Sequence, residues 1–499
     1  MIRRLAIATM LVALLSLIAA IPASAQQAPP GLPPPSASSR STTNSQYGGS
    51  GGANSGQLAS PAQGPYSGSV PSKLVPGVLQ LSLRGAIERG LKQNLGALLS
   101  SEDVRSARGQ RWQQLSALLP HLSAQPYVDV SQVNLKEFGF AFSFPGVNVP
   151  SVVGPFSYFD ARAYVSQNLF DWKAVNKTRA ATQNLKSTQY TYKDAHDLVV
   201  LAVGYNYLQA IADAARIEST QAQVNTAQAL YDQAADQVQA GTSPAIDALR
   251  AHVQLQTQQQ QLIQSNNDFA IQKLTLARVI GLAPGQEFEL TDKSPYQAFH
   301  GMSVEEAVKQ AYASRSDYQA ALADVRAAEF SRKAAVAGYY PTVSLNGDYG
   351  IAGQHLDSNH GVFDVRGTVT IPIFEGGSVR ADILQADAQL AQSRDRLENL
   401  RAQIDADVRT ALLNLQSSSD QVAVAKSNID LAEQTLSQSR DRFAAGVTST
   451  VEVVQAEEAL ASAHNSYISS LYNYNYAKIS LARAVGMAEE GVKEYFKGQ

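Results

Sequence analysis

Between residues 173 and 240 the chain contains no proline and one glycine, Gly204, and between 378 and 445 it contains neither. At 1.5 Å of rise per residue, either run wound as a single helix extends about 100 Å, far beyond what an ordinary globular domain uses. Each is followed by a second proline-free run, 245–280 and 447–485. The connections between runs are short. Gly241 and Gly446 suit the left-handed position that ends a helix, and Ser243 or Ser449 can cap the helix that follows. Two long helical hairpins are therefore expected, with tips near 241–244 and 446–449.

The two tips are copies of one another. "AGTSPAIDALRA" (240–251) aligns with "AGVTSTVEVVQA" (445–456), placing Gly241 on Gly446, Asp247 on Glu452 and Ala251 on Ala456 at an offset of 205. The same offset carries "LARVIG" (276–281) onto "LARAVG" (481–486). Upstream, "LSLRGAIERG" (81–90) matches "MSVEEAVKQA" (302–311), and Pro120 matches Pro341, at an offset of 221. "FDARAYVSQNLFD" (159–171) then matches "FDVRGTVTIPIFE" (363–375) at 204. The fall from 221 to 204 puts 17 extra residues into the first copy between its two strand segments. A surface loop tolerates such a length change. The chain is read as an internal duplication, with a first repeat over 76–297, a second over 298–488 and a tail over 489–499.

Each repeat changes period along its length. Residues 83–118 carry apolar groups at helical spacing, and the matching segment opens at Ser303 with Glu306 three residues on, a capping-box spacing. Beyond Pro120 and Pro341 the period becomes two, in strand pairs expected over 120–170 and 341–373. Leu122, Ala124, Val128 and Val130 alternate with polar residues, as do Phe159, Ala161, Ala163 and Val165. In the second copy, Val343, Leu345, Tyr349 and Ile351 alternate, followed by Phe363, Val365, Val369, Ile371 and Ile373. Such strands suit either a water-filled membrane barrel or a soluble half-buried sheet. The helices decide between them. They are rich in Ala, Gln, Ser and Asn, including "QLQTQQQQLIQ" at 254–264, and carry only a narrow apolar stripe. Such a helix buries one seam and leaves a wide face in water, unlike the helices of a solid bundle.

Arg3, Arg4, the apolar run 5–21 and Ala23-Ser24-Ala25 form a secretory signal over 1–25, and the chain is expected to be exported. Its removal takes the formal charge from −3 to −5, too mild to suggest a nucleic-acid partner. Residues 26–75, dense in Pro, Gly and Ser as far as 72, read as a disordered leader. There is no cysteine, which excludes disulfides, thiolate metal sites and a lipid-bearing cysteine. Beyond the signal no run of about 18 consecutive apolar residues occurs, so any membrane crossing is expected to be by strands.

The duplicated order of helix, strand pair, long helix, tip and returning helix resembles the TolC-type outer-membrane efflux proteins, the exit ducts of tripartite export systems. The likeness covers roughly 78–488 and includes "LSLRGAIERGLKQN" and tips of the form A-G-x-x-S/T-x-x-D/E-x-x-x-A. It implies a mixed α and β membrane protein. Three chains would form a homotrimer with a 12-stranded outer-membrane β-barrel, continued by a long α-helical barrel across the periplasm. Closure would also remove the unpaired edges that a lone four-stranded sheet exposes in lipid. The implied partners are a periplasmic adaptor (membrane fusion) protein, an inner-membrane transporter and outer-membrane lipid.

The resemblance also implies a constricted entrance at the tips, lined by acidic residues. The matching positions here are Asp247 and Glu452, each of which would form a ring of three carboxylates attracting cations. One turn on, where relatives often carry a second acid, stand Arg250 and Gln455, so a second ring is not expected; Arg250 is placed to pair with Asp247 or with a neighbouring tip. An acid near a helix start is favourable in any fold. Gly241, Thr242, Ser243, Gly446, Val447, Thr448 and Ser449 would make the turns and meet the adaptor.

No enzyme signature or cofactor motif occurs: G-x-S-x-G, H-E-x-x-H and phosphate-cradling glycine loops are all missing. His355 and His360, at the expected outer turn of the second hairpin, are the only close histidine pair, and a metal site there is not expected. Phe138, Phe140, Phe142 and Phe144 continue a strand alternation, which favours an interfacial aromatic belt over a loop packed across the outer mouth. The expected function is a passive export duct gated at its tips. The alternative is a periplasmic coiled-coil adaptor or scaffold without a pore, which would typically carry one helical hairpin rather than two.

Overall fold

The computed structural model describes residues 66–139, 150–292, 296, 299, 301–354, 357–489 and 491. The signal, most of the expected leader, Phe140, Phe142, Phe144, His355 and the end of the tail lie outside the described residues, as does the Phe138 side chain.

Strand β1 (Leu79–Leu81) precedes helices α1 (Leu83–Gln93) and α2 (Leu95–Ser116). Strands β2 (His121–Asn134) and β3 (Val152–Phe170) lead into α3 (Trp172–Gln239), which turns back as α4 (Ala245–Ile280). After the short β4 (Phe288–Leu290), the same order runs again: α5 (Val304–Ser314), α6 (Ser316–Val336), β5 (Thr342–Gly353), β6 (Asn359–Thr370), α7 (Ser378–Ala444) and α8 (Thr450–Ala484). Helices α3 and α7 have 68 and 67 residues, so the two uninterrupted runs each form one helix.

Three details differ from the sequence expectation. The helix expected over 83–118 is two helices. Asn94 takes an extended conformation (φ −65°, ψ 129°) and its side chain accepts from the Gly96 N–H, starting a new helix. Arg315 separates α5 from α6 in the same extended conformation (φ −62°, ψ 122°). A residue with ordinary φ needs only a change of ψ to do this, which leaves no glycine or proline as a signal. Strand β6 ends at Thr370, so Ile371 and Ile373 lie beyond it, next to Pro372, which donates no ladder hydrogen bond. Residues 66–75, assigned by composition to the leader, are tied down by backbone bonds: Val70 N–H to Gln93 O (2.8 Å), Ser72 N–H to Gly281 O (2.8 Å) and Leu95 N–H to Gly68 O (3.0 Å). Local composition carries no trace of these long-range bonds. The expected capping box at Ser303 and Glu306 is formed.

The four longer strands form one antiparallel sheet in the order β2-β3-β5-β6. Its register puts the four apolar sets on one face. Leu122 faces Val165, then Gly347, then Val365; Ala124 faces Ala163, then Tyr349, then Phe363. That face is bare, with Leu122, Tyr349, Phe363 and Val365 all exposed. The opposite face carries Ser123, Tyr164, Asp348 and Asp364 in one row. Arg162 on β3 bonds Asp160 at 2.8 Å and Asp348 on β5 at 3.1 Å, so charge as well as backbone joins strands from the two halves of the chain. The connection between β2 and β3, from Asn134 to Val152, is longer than that between β5 and β6, from Gly353 to Asn359.

The helices bury their apolar stripes in three clusters. One joins α1, the middle of α3 and the end of α4 around Tyr207, Val203 and Ile280. A second joins α5, α7 and α8 around Ile404, Tyr474 and Leu481. The third joins all four hairpin helices near the tips, with Leu230, Ala251, Phe443 and Val453. Helix α3 has the length and composition to cross a membrane, but 67% of its apolar window is buried inside the protein. Its apolarity belongs to the core.

A charged cluster lies where α3, α6, α7 and α8 meet. Arg315 pairs with Asp317 at 2.7 Å and Asp407 at 3.1 Å, and Arg483 pairs with Asp194 and, at 3.9 Å, Asp317. Burial pushes the nearby Asp197 carboxyl up to about 6, against the pull of Arg483 and with Asp194, Glu489 and Asp317 adding to the rise. The folded chain therefore holds this proton to higher pH than the unfolded chain does. The resulting stabilisation is complete below about pH 4 and is lost as pH rises through about 6. Asp197→Asn is expected to raise stability by about 1–3 kcal/mol at pH 8 and by little at pH 5. Thermal melts at both values check this; equal differences at the two pH values would show that Asp197 is not the titrating group.

Candidate functional site

Both tips close by the same backbone device. In the first, Gly241 has φ +72° and its N–H donates to Val238 O at 3.0 Å, while the Thr242 N–H reaches Gln237 O at 2.9 Å. In the second, Gly446 also has φ +72°, with Gly446 N–H to Phe443 O at 3.0 Å and Val447 N–H to Arg442 O at 2.9 Å. This paired bonding satisfies the last carbonyls of a helix and needs a left-handed residue, the role expected of both glycines.

The serines act differently from expectation. Pro244 occupies the N-cap of α4, and the Ser243 hydroxyl bonds Gln237 Oε1 at 3.1 Å instead. Ser449 does occupy the N-cap of α8, but its side chain makes no capping bond. Proline pre-sets the helical entry in the first tip and takes the place a capping serine would fill. Gln237 is the organiser that sequence reading missed: its carbonyl accepts from Thr242 N–H and Thr242 Oγ1, and its side chain from Ser243. Its position four residues before the glycine gave no distinguishing signal in a glutamine-rich helix.

The candidate entrance residues fall into two environments. Asp247 lies in the first turn of α4, is 8% exposed, and faces Arg250 at 3.6 Å. Arg250 itself is exposed, as is Gln455. Glu452, in the first turn of α8, keeps 38% of its side chain exposed. The Thr448 hydroxyl bonds one of its carboxylate oxygens, and Arg442 lies 3.6 Å from the other. Arg442 was also missed. Four residues before Gly446 on one helix and six after it on the next, the pair faces across an antiparallel turn, a spacing that marks such partners in any tight helical hairpin.

Around these charges the tips expose small and apolar groups. Val447 is 70% exposed, and Ile246, Leu249 and Val451 also face outward. Beneath them Phe443, Val453, Leu230 and Ala251 join the two hairpins into one packed unit. The arrangement presents one available carboxylate, restrained by a threonine and an arginine, on a rigid base. Among the described residues no group of three or more His, Asp or Glu side chains could hold a metal ion.

Comparison with known proteins accords with this architecture. The family model described as outer membrane efflux protein matches residues 100–282 and 307–487. The outer membrane protein TolC of Escherichia coli K12 is 24% identical over 454 residues, covering 84% of this chain and 87% of that protein. The pyoverdine export outer membrane protein OpmQ of Pseudomonas aeruginosa is 26% identical over 404 residues, covering 78% and 83%. Among solved structures, the outer membrane protein VceC from Vibrio cholerae superposes with a TM-score of 0.69 at 18% identity, covering 81% of this chain and 96% of VceC. A crystal structure of CusC gives 0.70 at 20% identity, covering 85% and 97%. With family matches over both halves of its length and this fold of two helical hairpins and a four-stranded antiparallel sheet, the chain belongs to the outer membrane efflux protein family and is an outer-membrane efflux or secretion duct.

Proposed function

We propose that three copies of this chain assemble into one conduit. Each contributes the sheet β2-β3-β5-β6 to a closed 12-stranded barrel in the outer membrane. Each also contributes two helical hairpins, the products of an internal duplication, to a tunnel across the periplasm. The observation that carries this is the sheet: all four apolar strand faces lie on one side, bare, while β2 and β6 each have one side without a strand partner among the described residues. Lipid accepts such a face but not such edges, and joining β6 of one chain to β2 of the next removes both problems. The mass of the purified protein in detergent tests this, with three chains expected; a stable monomer or dimer would overturn it.

The duct carries no chemistry of its own. Drive and selection come from an inner-membrane transporter, delivered through a periplasmic adaptor that meets the small residues Gly241, Thr242, Ser243, Gly446, Val447, Thr448 and Ser449 at the tips. At the mouth, Glu452 forms the ring that favours cations, because it is the tip acid with its side chain partly free. Asp247, buried beside Arg250, contributes less. In planar bilayers Glu452→Gln is expected to lower cation preference and weaken block by multivalent cations, with Asp247→Asn the milder of the two. Selectivity unchanged from wild type in Glu452→Gln would remove this residue from the entrance.

A further inference from the structure

We propose that the groove between the two helical hairpins of one chain, walled by α3 and α8, is a binding site for a small amphiphilic organic cation. It is a cavity of about 320 Å³ set above the tips. It lies in the gap between two of the packed clusters. The tip cluster reaches up to Leu230 on α3, and the next cluster on that helix begins at Ile211. Between them α3 lines the groove with the short Ala215, Ser219, Ala222 and Thr226 and the longer Glu218 and Gln223, and α4 adds Gln258. The four short side chains leave space between the two helices that a closely packed wall would fill.

The chemistry of the lining selects the ligand. Leu436, Leu460 and Ile468 supply the apolar floor and side. A largely apolar cavity holds water poorly and accepts an apolar guest. Two carboxylates, Glu218 and Glu457, and the His464 ring also line it, and no lysine or arginine does. Glu457 is 8% exposed, and Arg440 reaches only one of its oxygens, at 3.3 Å from outside the groove. Burial holds the Glu457 carboxyl above its usual range, opposed by Arg440, so a second positive charge beside it is favoured. A cavity of this size suits a molecule of about twenty to twenty-five non-hydrogen atoms, apolar over most of its surface and carrying one positive charge. Such a guest would touch both hairpins of one chain at once.

Berberine, a planar fluorescent monocation, titrated into full-length protein in lipid nanodiscs with empty nanodiscs subtracted, tests the site. Saturable binding of one molecule per chain is expected. Leu460→Trp, which fills the groove, is expected to weaken it at least tenfold, and Glu457→Gln several-fold. The anionic dye 1-anilinonaphthalene-8-sulfonate is expected to show no saturable binding that Leu460→Trp removes. Isotherms unchanged in both variants, or the anion bound as tightly as the cation, would overturn the proposal. Should Glu457→Gln disturb the tips through Arg440, Ile468→Trp serves as a second filling variant, and binding that survives it would count against the site. The readout needs no assembled pore, so a protein that binds berberine but is a stable monomer in detergent would refute the three-chain conduit and leave this site standing.

Discussion

A lysine at Val365 is expected to keep the protein out of the outer membrane. Val365 sits midway along β6, on the bare apolar face, and is 68% exposed. Its cross-strand neighbour is Gly347, which has no side chain to shield a charge. A lysine facing lipid near the bilayer centre costs about 2–4 kcal/mol, and a three-fold assembly would carry the cost three times. That total is comparable with the whole stability of a typical domain. Thr368→Lys places the same charge on the opposite face of the same strand and is expected to be tolerated, because that face would meet the water-filled interior. Membrane fractionation with immunoblotting distinguishes the two. Wild-type levels of Val365→Lys in the outer membrane would mean that this face does not meet lipid.

Removing Arg315 is expected to be the most damaging single change among the helices. Its side chain is 6% exposed and bonds Asp317 at 2.7 Å and the half-exposed Asp407 at 3.1 Å. Asp317 is the partner that matters most. Burial raises its carboxyl, but the hydrogen bonds and charge of Arg315, with help from Arg483, more than reverse this and leave it below its usual range. A depressed carboxyl stabilises the fold above the unfolded value, near pH 4, and loses that contribution as the pH falls further. Arg315→Ala leaves the largely buried carboxylate with Arg483 at 3.9 Å and the Tyr318 N–H at 2.8 Å as its remaining partners, at a cost of about 3–5 kcal/mol at neutral pH. Arg315→Ala with Asp317→Asn should recover part of the loss, because the uncompensated charge is gone. Denaturation followed by circular dichroism at pH 7 measures both. A loss below about 1 kcal/mol for the single variant would show that the pair is solvated rather than buried.

The long helices, the tips and the alternating strands were legible because each is set by local chemistry. Proline-free runs become helices when their neighbours offer a seam, and Gly241 and Gly446 hold a conformation that few other residues tolerate. The break at Asn94 was missed: asparagine favours N-caps, but the apolar spacing runs on through it and its capping bond to Gly96 is visible only once the chain has turned. The same holds for the entrance. The two tip acids look equivalent in the alignment, yet one is buried beside Arg250 while the other is partly exposed and tied to Thr448 and Arg442. What separates them is the packing of four helices around Phe443 and Val453, which no spacing within one hairpin encodes.

By itself, then, the sequence determined the element order, its repetition, the period of each segment and the positions of the turns, all properties of neighbouring residues along the chain. Only the tertiary structure decided the sheet register that gathers four apolar faces onto one side, the charged junction around Arg315, and the unfilled groove beside Glu457. Each of these depends on side chains brought together from distant parts of the chain, where burial and distance, rather than residue type, set the strength of every interaction.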